Sequence, residues 1–376
     1  MRALIVGGAG FIGTHLAPRL AAAGHSVTVV DALLPQVHGP SARFPAPLKT
    51  VATCIRGDVR RPGALRGLLA RHDVVYWLAA ETGTGQSMYR VRRYADTNVG
   101  ALATFFDLLV RDRGAVSRVI LASSRAIYGE GAYCCPSHGP VVPSARLGYH
   151  PALRWNPPCP ACLGPITPLA TPEESPPLPG SVYGWTKLAQ EQLLNLLAGA
   201  TGLETVVLRL QNVYGVGQAL RNPYTGVLMV FCNQALRGDP LVLYEDGEIT
   251  RDFVHVDDVV EALVTSAASP SATGGVFNIG SGVPVTIRQA AESVVAATGR
   301  RSVINVGGQF RVGDVRYAVG EIGRAGMELD YRPRIGFEEG IRQLIASVQA
   351  QGTMPDRSAA SARELAARGL LRSALP

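Results

Sequence analysis

The chain has 376 residues, 47% of them hydrophobic and 17% charged, with a formal net charge of +7. That length exceeds the roughly 250 residues at which single cores stop growing, so a large domain with a smaller lobe is expected, of ordinary globular balance. The basic excess is scattered, without the Lys/Arg block of a nucleic-acid surface, and no apolar run reaches the roughly 18 residues of a membrane span.

Short apolar runs at Ala3–Val6, Ser26–Val30, Val51–Ile55, Val74–Ala80 and Arg118–Ser123 read as strands. Helical patterns fall between them at Ile12–Ala23, Pro62–Leu69 and Tyr94–Val110. Continuously apolar strands alternating with helices predict an α/β fold, a doubly wound parallel (Rossmann) sheet covered on both faces. Residues 129–180 break this pattern, being rich in Pro, Cys and Gly and without periodicity, and read as an inserted loop. Helices are expected again at Ser181–Ala198, Thr225–Leu236, Asp257–Ala268 and Phe337–Gln351, with a strand at Thr205–Leu210. The expected organisation is a nucleotide-binding domain over 1–180 that carries the 129–180 insertion. Residues 181–351 then interleave a further helix, the remaining sheet and a smaller C-terminal α/β substrate lobe. Residues 352–376 read as a weakly packed tail or terminal helix. Met1 leads directly into a strand, without the marks of a signal peptide, so a cytoplasmic location is expected.

Gly7-Gly8-Ala9-Gly10-Phe11-Ile12-Gly13 follows the first strand and opens the first helix. Gly7, Gly10 and Gly13 permit a tight turn and close approach to a pyrophosphate, while the helix N-terminus around Phe11 and Ile12 offers unpaired N–H groups. Asp31 ends the next strand, where a carboxylate accepts from ribose hydroxyls and repels a 2′-phosphate, favouring NAD over NADP. Asp58, in Gly57-Asp58-Val59, is a candidate adenine contact, with a plain turn or cap as the competing reading. Tyr183 and Lys187 stand four residues apart on one helix face. An ammonium beside the phenol lowers its pKa and makes Tyr183 a candidate general base. Ser124 lies at the carboxyl end of a strand, where ligands bind in doubly wound sheets.

These motifs, in this order, resemble the extended short-chain dehydrogenase/reductase family of nucleotide-sugar epimerases and dehydratases over roughly residues 1–351. Leu78-Ala79-Ala80, Asn98-Val99-Gly100, the run Leu208–Gly215, the run Arg251–Asp258 and Phe277–Gly280 add to the resemblance. It implies Ser124, Tyr183 and Lys187 as the catalytic set. It implies cofactor contacts from Val59, Leu78, Ala79, Ala80 and Asn98 beside the glycine loop, Asp31, Asp58, Tyr183 and Lys187. Substrate contacts are implied from Thr82, Ser124, Asn212, Arg251 and Arg311, the arginines gripping a nucleoside diphosphate bidentately. Dehydratases of the family carry an Asp-Glu pair directly after the Ser/Thr; here Arg125 and Ala126 stand there. The resemblance is therefore to the 4-epimerase type, of the dTDP-L-rhamnose and UDP-glucose kind.

It implies NAD-dependent epimerisation of a nucleoside-diphosphate sugar at C4 through a transient 4-keto sugar, in a homodimer that binds neither nucleic acid nor membrane. The competing readings are a net NAD(P)-dependent reductase or dehydrogenase, a dehydratase, or a nucleotide-binding module without turnover.

The run Ser124–Gly131 and the Cys-rich loop look most like the dTDP-L-rhamnose 4-epimerase type, and two short runs in that loop carry a further reading. Cys135-Pro136-Ser137-His138 and Cys159-Pro160-Ala161-Cys162 each space two soft or borderline ligands by two residues. Together they match a closed structural zinc site on Cys135, His138, Cys159 and Cys162, with Cys134 as a spare thiol. Idle reduced thiols, or a Cys159–Cys162 disulfide, are the competing readings.

Overall fold

The computed structural model describes residues 1–39, 42–111, 113–146, 155–219, 226–356 and 358–373. Seven parallel strands form the central sheet: β1 (Arg2–Val6), β2 (Ser26–Asp31), β3 (Thr53–Arg56), β4 (Val74–Trp77), β5 (Arg118–Ser124), β6 (Glu204–Leu210) and β7 (Val276–Ile279). Their spatial order is β7-β6-β5-β4-β1-β2-β3. The order reverses between β1 and β4, and that switch point opens a crevice at the carboxyl ends of the strands. β-Branched and aliphatic residues dominate these strands because both faces are buried: β4 and β5 are buried throughout.

One face packs on helices α1 (Phe11–Ala22) and α5 (Val256–Ala268). The other packs on α2 (Ala101–Arg111) and α3 (Val182–Thr201). A separate core joins α4 (Val227–Arg237), α6 (Ile287–Thr298) and α7 (Phe337–Gln351) into the smaller lobe, edged by short strands such as Thr250–His255. No helix among the described residues is long and apolar enough to cross a membrane.

Several expected elements are displaced. Pro62–Leu69 is not a helix but a pair of single 3₁₀ turns, Pro62–Ala64 and Leu69–Arg71. Gly63 and Gly67 penalise a continuous helix there, and Gly67 takes a positive φ of 77°. Val51 ends a short helix, Ala46–Val51, and the strand begins at Thr53. β4 stops at Trp77 because Leu78–Ala80 leave the ladder to meet the glycine loop. The helix expected from Tyr94 holds a π segment at Ala95–Gly100, which carries Asn98. Thr225, expected to open α4, lies outside the described residues.

The insertion is partly ordered by a small antiparallel sheet, in which Tyr133–Cys135 pairs with Gly139–Val141 and Thr167–Pro168. Within the insertion, residues 147–154 lie outside the described residues. The C-terminal stretch forms a helix, α8 (Ser358–Ala366), as one of the two expectations allowed. It is not weakly packed: Leu365 is buried, and Leu371–Ser373 pairs antiparallel with Gln309–Arg311.

Gly7 passes close to the backbone of the loop after β4 at the switch point. Its φ is +83°, and a Cβ there would meet the Ala79 backbone nitrogen at 2.6 Å. Gly7→Ala is expected to lower the unfolding free energy by at least about 1–2 kcal/mol, the cost of a left-handed non-glycine residue alone. Denaturant titration checks it, and an unchanged midpoint contradicts the close approach.

Candidate active site

One cleft of about 1500 Å³ runs along the carboxyl ends of the strands into the smaller lobe. It exceeds the roughly 300–1,000 Å³ of a single small-ligand pocket, leaving room for more than one ligand. Gly7, Gly10, Phe11, Ile12, Gly13, Asp31, Asp58, Val59, Leu78, Ala79 and Ala80 line it, as do Thr82, Ser124, Tyr183, Lys187, Asn212, Arg251 and Arg311. Asn98 does not. It is fully buried behind the wall, where Oδ1 accepts from the Glu81 backbone N–H at 2.7 Å and Nδ2 donates to Thr186 Oγ1 at 2.9 Å. Asn98 therefore ties the loop after β4 to α3 rather than meeting a ligand across the cleft.

At one end the helix α1 N-terminus has no side-chain cap, leaving its N–H groups open to an anion. The Asp31 carboxylate accepts from the Ala9 and Leu33 backbone N–H groups at 3.0 and 2.8 Å. These bonds pin the glycine loop and hold the carboxylate in place at the end of β2. Asp58 is held by Arg60, whose hydrogen bonds at 2.6–3.1 Å keep its carboxyl below the usual range.

At the centre, Ser181 caps α3 by accepting from the Gly184 N–H at 3.1 Å. Gly184 lets the helix rest on the turn after β5, since a Cβ there would meet the Ala126 carbonyl oxygen at 2.4 Å. That contact brings Tyr183 beside the Ser124 hydroxyl. Burial raises the Tyr183 phenol above its ordinary value, while the Ser124 hydroxyl and the Arg125 charge act the other way. The Lys187 Nζ lies buried one turn along the same helix, donating to the Ala122 carbonyl at 2.8 Å. Burial in turn pushes the Lys187 ammonium down to about 8, against the pull of Glu191. Glu191 is itself held by Arg209 at 2.8 Å and accepts from Ser123.

At the far end, Asp314 joins the two arginines, accepting from Arg251 Nη2 at 2.6 Å and Arg311 Nη2 at 3.0 Å. Burial alone would raise the Asp314 carboxyl, but Arg311, Arg251, Arg125 and Arg146 outweigh it and hold it well below the usual range. Arg311 Nε is buried with no hydrogen-bond partner among the described residues, and the guanidinium lies 5.0 Å over the Tyr244 ring. An unmade bond at a buried guanidinium N–H is what an anionic ligand oxygen satisfies.

Sequence reasoning passed over three contributors. Arg125 was read only as a departure, yet it lines the cleft directly after Ser124, and burial together with the Arg251 charge lowers it to about 10. Its position after a strand-end serine was the available signal. Asp314 gave none, since apart from Arg311, three residues before it, its partners lie far away in the chain. The C-terminal segment also lines the cleft, through Met354, Asp356, Ser358, Ser361 and Leu365, without any motif.

Comparison with known proteins agrees with this geometry. The profile of the NAD dependent epimerase/dehydratase family matches residues 3–146 and 161–280. A dTDP-L-rhamnose 4-epimerase of Burkholderia thailandensis is 39% identical over 344 residues, 91% of this chain and 93% of that protein. The crystal structure of the Thermotoga maritima UDP-glucose 4-epimerase with UDP-glucose superposes with a TM-score of 0.76 at 28% identity, covering 93% of this chain and 99% of that one. The Thermus thermophilus UDP-glucose 4-epimerase complexed with NAD gives 0.73 at 26% identity, with 94% and 100% covered. This chain belongs to the NAD dependent epimerase/dehydratase family.

The charge balance around Asp314 sets a stability prediction. Asp314→Asn leaves buried arginines uncompensated and is expected to cost about 3–5 kcal/mol at pH 7. Because the folded carboxyl is depressed, that stabilisation is fully present above the unfolded Asp value near 4 and is lost as pH falls further. Denaturant titrations at neutral and acid pH check it: the gap between the two proteins should narrow only below about pH 4. A gap independent of pH contradicts it.

Proposed function

We propose that this chain interconverts C4 epimers of a nucleoside-diphosphate sugar, with NAD held at the glycine loop and Tyr183 acting as general base. The single observation that carries this reading is that Ser124, Tyr183 and Lys187 meet midway in one cleft. The glycine loop and Asp31 lie at one end of it, and Arg251 and Arg311 at the other. Bound NAD supplies a reversible hydride acceptor; the protein supplies orientation and electrostatics. Tyr183 removes the C4 hydroxyl proton, assisted by the Ser124 hydroxyl and the Arg125 charge. Lys187, fixed on Ala122, serves the ribose side of the cofactor. Arg251 and Arg311 grip the diphosphate, with Asn212 and Thr82 bordering the sugar, so the ring turns about its anchor and presents either face.

The absence of a carboxylate pair after Ser124 favours epimerisation over dehydration, since loss of water needs a paired acid and base there. The 4-epimerase descriptions of the relatives support the same choice. The reading extends to a cytoplasmic homodimer with a structural zinc beside NAD. Six free cysteines accord with a reducing compartment. Trp185 and Leu196, exposed about three turns apart on α3, offer apolar surface to a second copy.

Tyr183→Phe should cut turnover about 10²- to 10⁴-fold while bound NAD is retained, because the ring still packs but the base is gone. Proton NMR of a panel of dTDP- and UDP-sugars measures the rate; more than half the original rate would remove Tyr183 from the role. Asp31→Asn keeps an acceptor for the glycine loop but removes the charge that repels a 2′-phosphate. It should narrow the preference for NAD over NADP, read by calorimetry, and equal affinities in the unsubstituted protein would contradict the assignment.

A further inference from the structure

The Cys-rich insertion brings four ligand atoms together from two separate turns. Cys135 ends the middle strand of the small sheet and His138 closes its hairpin turn. Cys159 and Cys162 occupy a second turn, closed by Cys159 N–H to the Gly164 carbonyl at 2.9 Å and Leu163 N–H to the Cys159 carbonyl at 2.9 Å. All four ligand atoms lie within 4.8 Å of one another. Cys135 Sγ is 3.8 Å from Cys162 Sγ and 3.5 Å from His138 Nδ1, and Cys159 Sγ is 3.8 Å from His138 Nδ1.

These separations discriminate between the readings of the cluster. A disulfide needs its sulfurs about 2.05 Å apart, and the thiols here are free. A tetrahedral zinc with Zn–S near 2.3 Å and Zn–N near 2.05 Å has S···S edges of about 3.8 Å and S···N edges of about 3.6 Å. Three of the cluster's six edges, at 3.5, 3.8 and 3.8 Å, match that tetrahedron, and the other three stay within 4.8 Å.

The second turn is joined to the substrate end of the cleft. Just before it, Trp155 packs 5.7 Å from Phe310 between ring centroids, and its carbonyl accepts from Arg146 Nη1 at 3.0 Å. Asn156 Oδ1 accepts from Arg316 Nε at 3.0 Å. Arg146 bridges Glu130 at 2.9 Å and Glu245 at 2.8 Å, and its Nη2 reaches the Asp314 carbonyl at 3.3 Å. Asp314 is the carboxylate that holds Arg251 and Arg311. Glu130 lies close before the first turn and the Trp155–Asn156 pair close before the second, so cross-linking the turns fixes both sides of the Arg146 bridge.

We infer that Cys135, His138, Cys159 and Cys162 hold one zinc ion, and that this ion positions the wall behind the substrate arginines. With four protein ligands the site is closed and structural. Its binding free energy offsets the entropy of ordering a segment poor in large apolar residues. The positioning half rests on the assignment of Arg251 and Arg311 to the diphosphate.

Metal analysis of the untagged full-length protein, purified without chelator, comes first. About one zinc per chain is expected, and less than about 0.2 overturns the site. Cobalt substitution should give the visible absorption of tetrahedral thiolate coordination; its absence in the metal-loaded protein also overturns it. Cys159→Ser with Cys162→Ser should lose the metal and weaken UDP or dTDP binding about tenfold by calorimetry, with bound NAD retained. Chelation of the unsubstituted protein gives the same comparison if the double variant does not fold. Metal loss with unchanged nucleotide affinity overturns the positioning role. Zinc content is independent of turnover, so a zinc protein that epimerises no sugar nucleotide fails the proposed function and not the site.

Discussion

Asp314 is the carboxylate on which the Arg251–Arg311 end of the cleft depends. Four arginines from separate parts of the chain act on it: Arg125 after β5, Arg146 in the insertion, Arg251 in the smaller lobe and Arg311 beside the C-terminal strand. Buried like charges gather in this way only around a compensating anion. Arg146 is answered by Glu130 and Glu245, so Asp314 faces the remaining three largely alone. Positive charge is left over at that end of the cleft, which is the condition a diphosphate relieves. The central domain, the insertion and the smaller lobe therefore meet at one ionic node.

The cofactor end is governed by backbone geometry instead. Gly7 passes against Ala79 and the uncapped start of α1 faces the cleft, both consequences of the switch between β1 and β4. Asp31 belongs to both worlds, because its carboxylate pins the loop it works beside. Between the two ends, Tyr183 stands where a desolvated phenol meets a serine hydroxyl and an arginine charge. Burial raises its pKa, against the pull of the Ser124 hydroxyl and the Arg125 charge.

What the sequence made legible was whatever is encoded locally. The glycine loop, the Tyr183/Lys187 spacing, the strand-end Ser124 and the two-residue spacing of the cysteine turns are short patterns; the structure brings the first three to one cleft and the last to one Cys/His cluster. Positions set by distant packing were not legible. Asn98 matched a motif, but a π segment turns it behind the wall. Pro62–Leu69 followed an apolar period that two glycines defeat. Asp314 and the C-terminal segment line the cleft through tertiary contacts alone, with no pattern that composition or spacing exposes. The small sheet inside the insertion was hidden because its strands are too short for a period to register.

The central claim is that hydride leaves C4 and returns to C4 of the same sugar, with Tyr183 moving only the hydroxyl proton. A nucleotide sugar carrying deuterium at C4, incubated with the purified full-length protein without added cofactor, tests this most directly by NMR. The account predicts that the second C4 epimer forms with the deuterium still on C4, and that no reduced nicotinamide accumulates. Epimer formed with the label washed into solvent would contradict it, as would stoichiometric release of reduced cofactor.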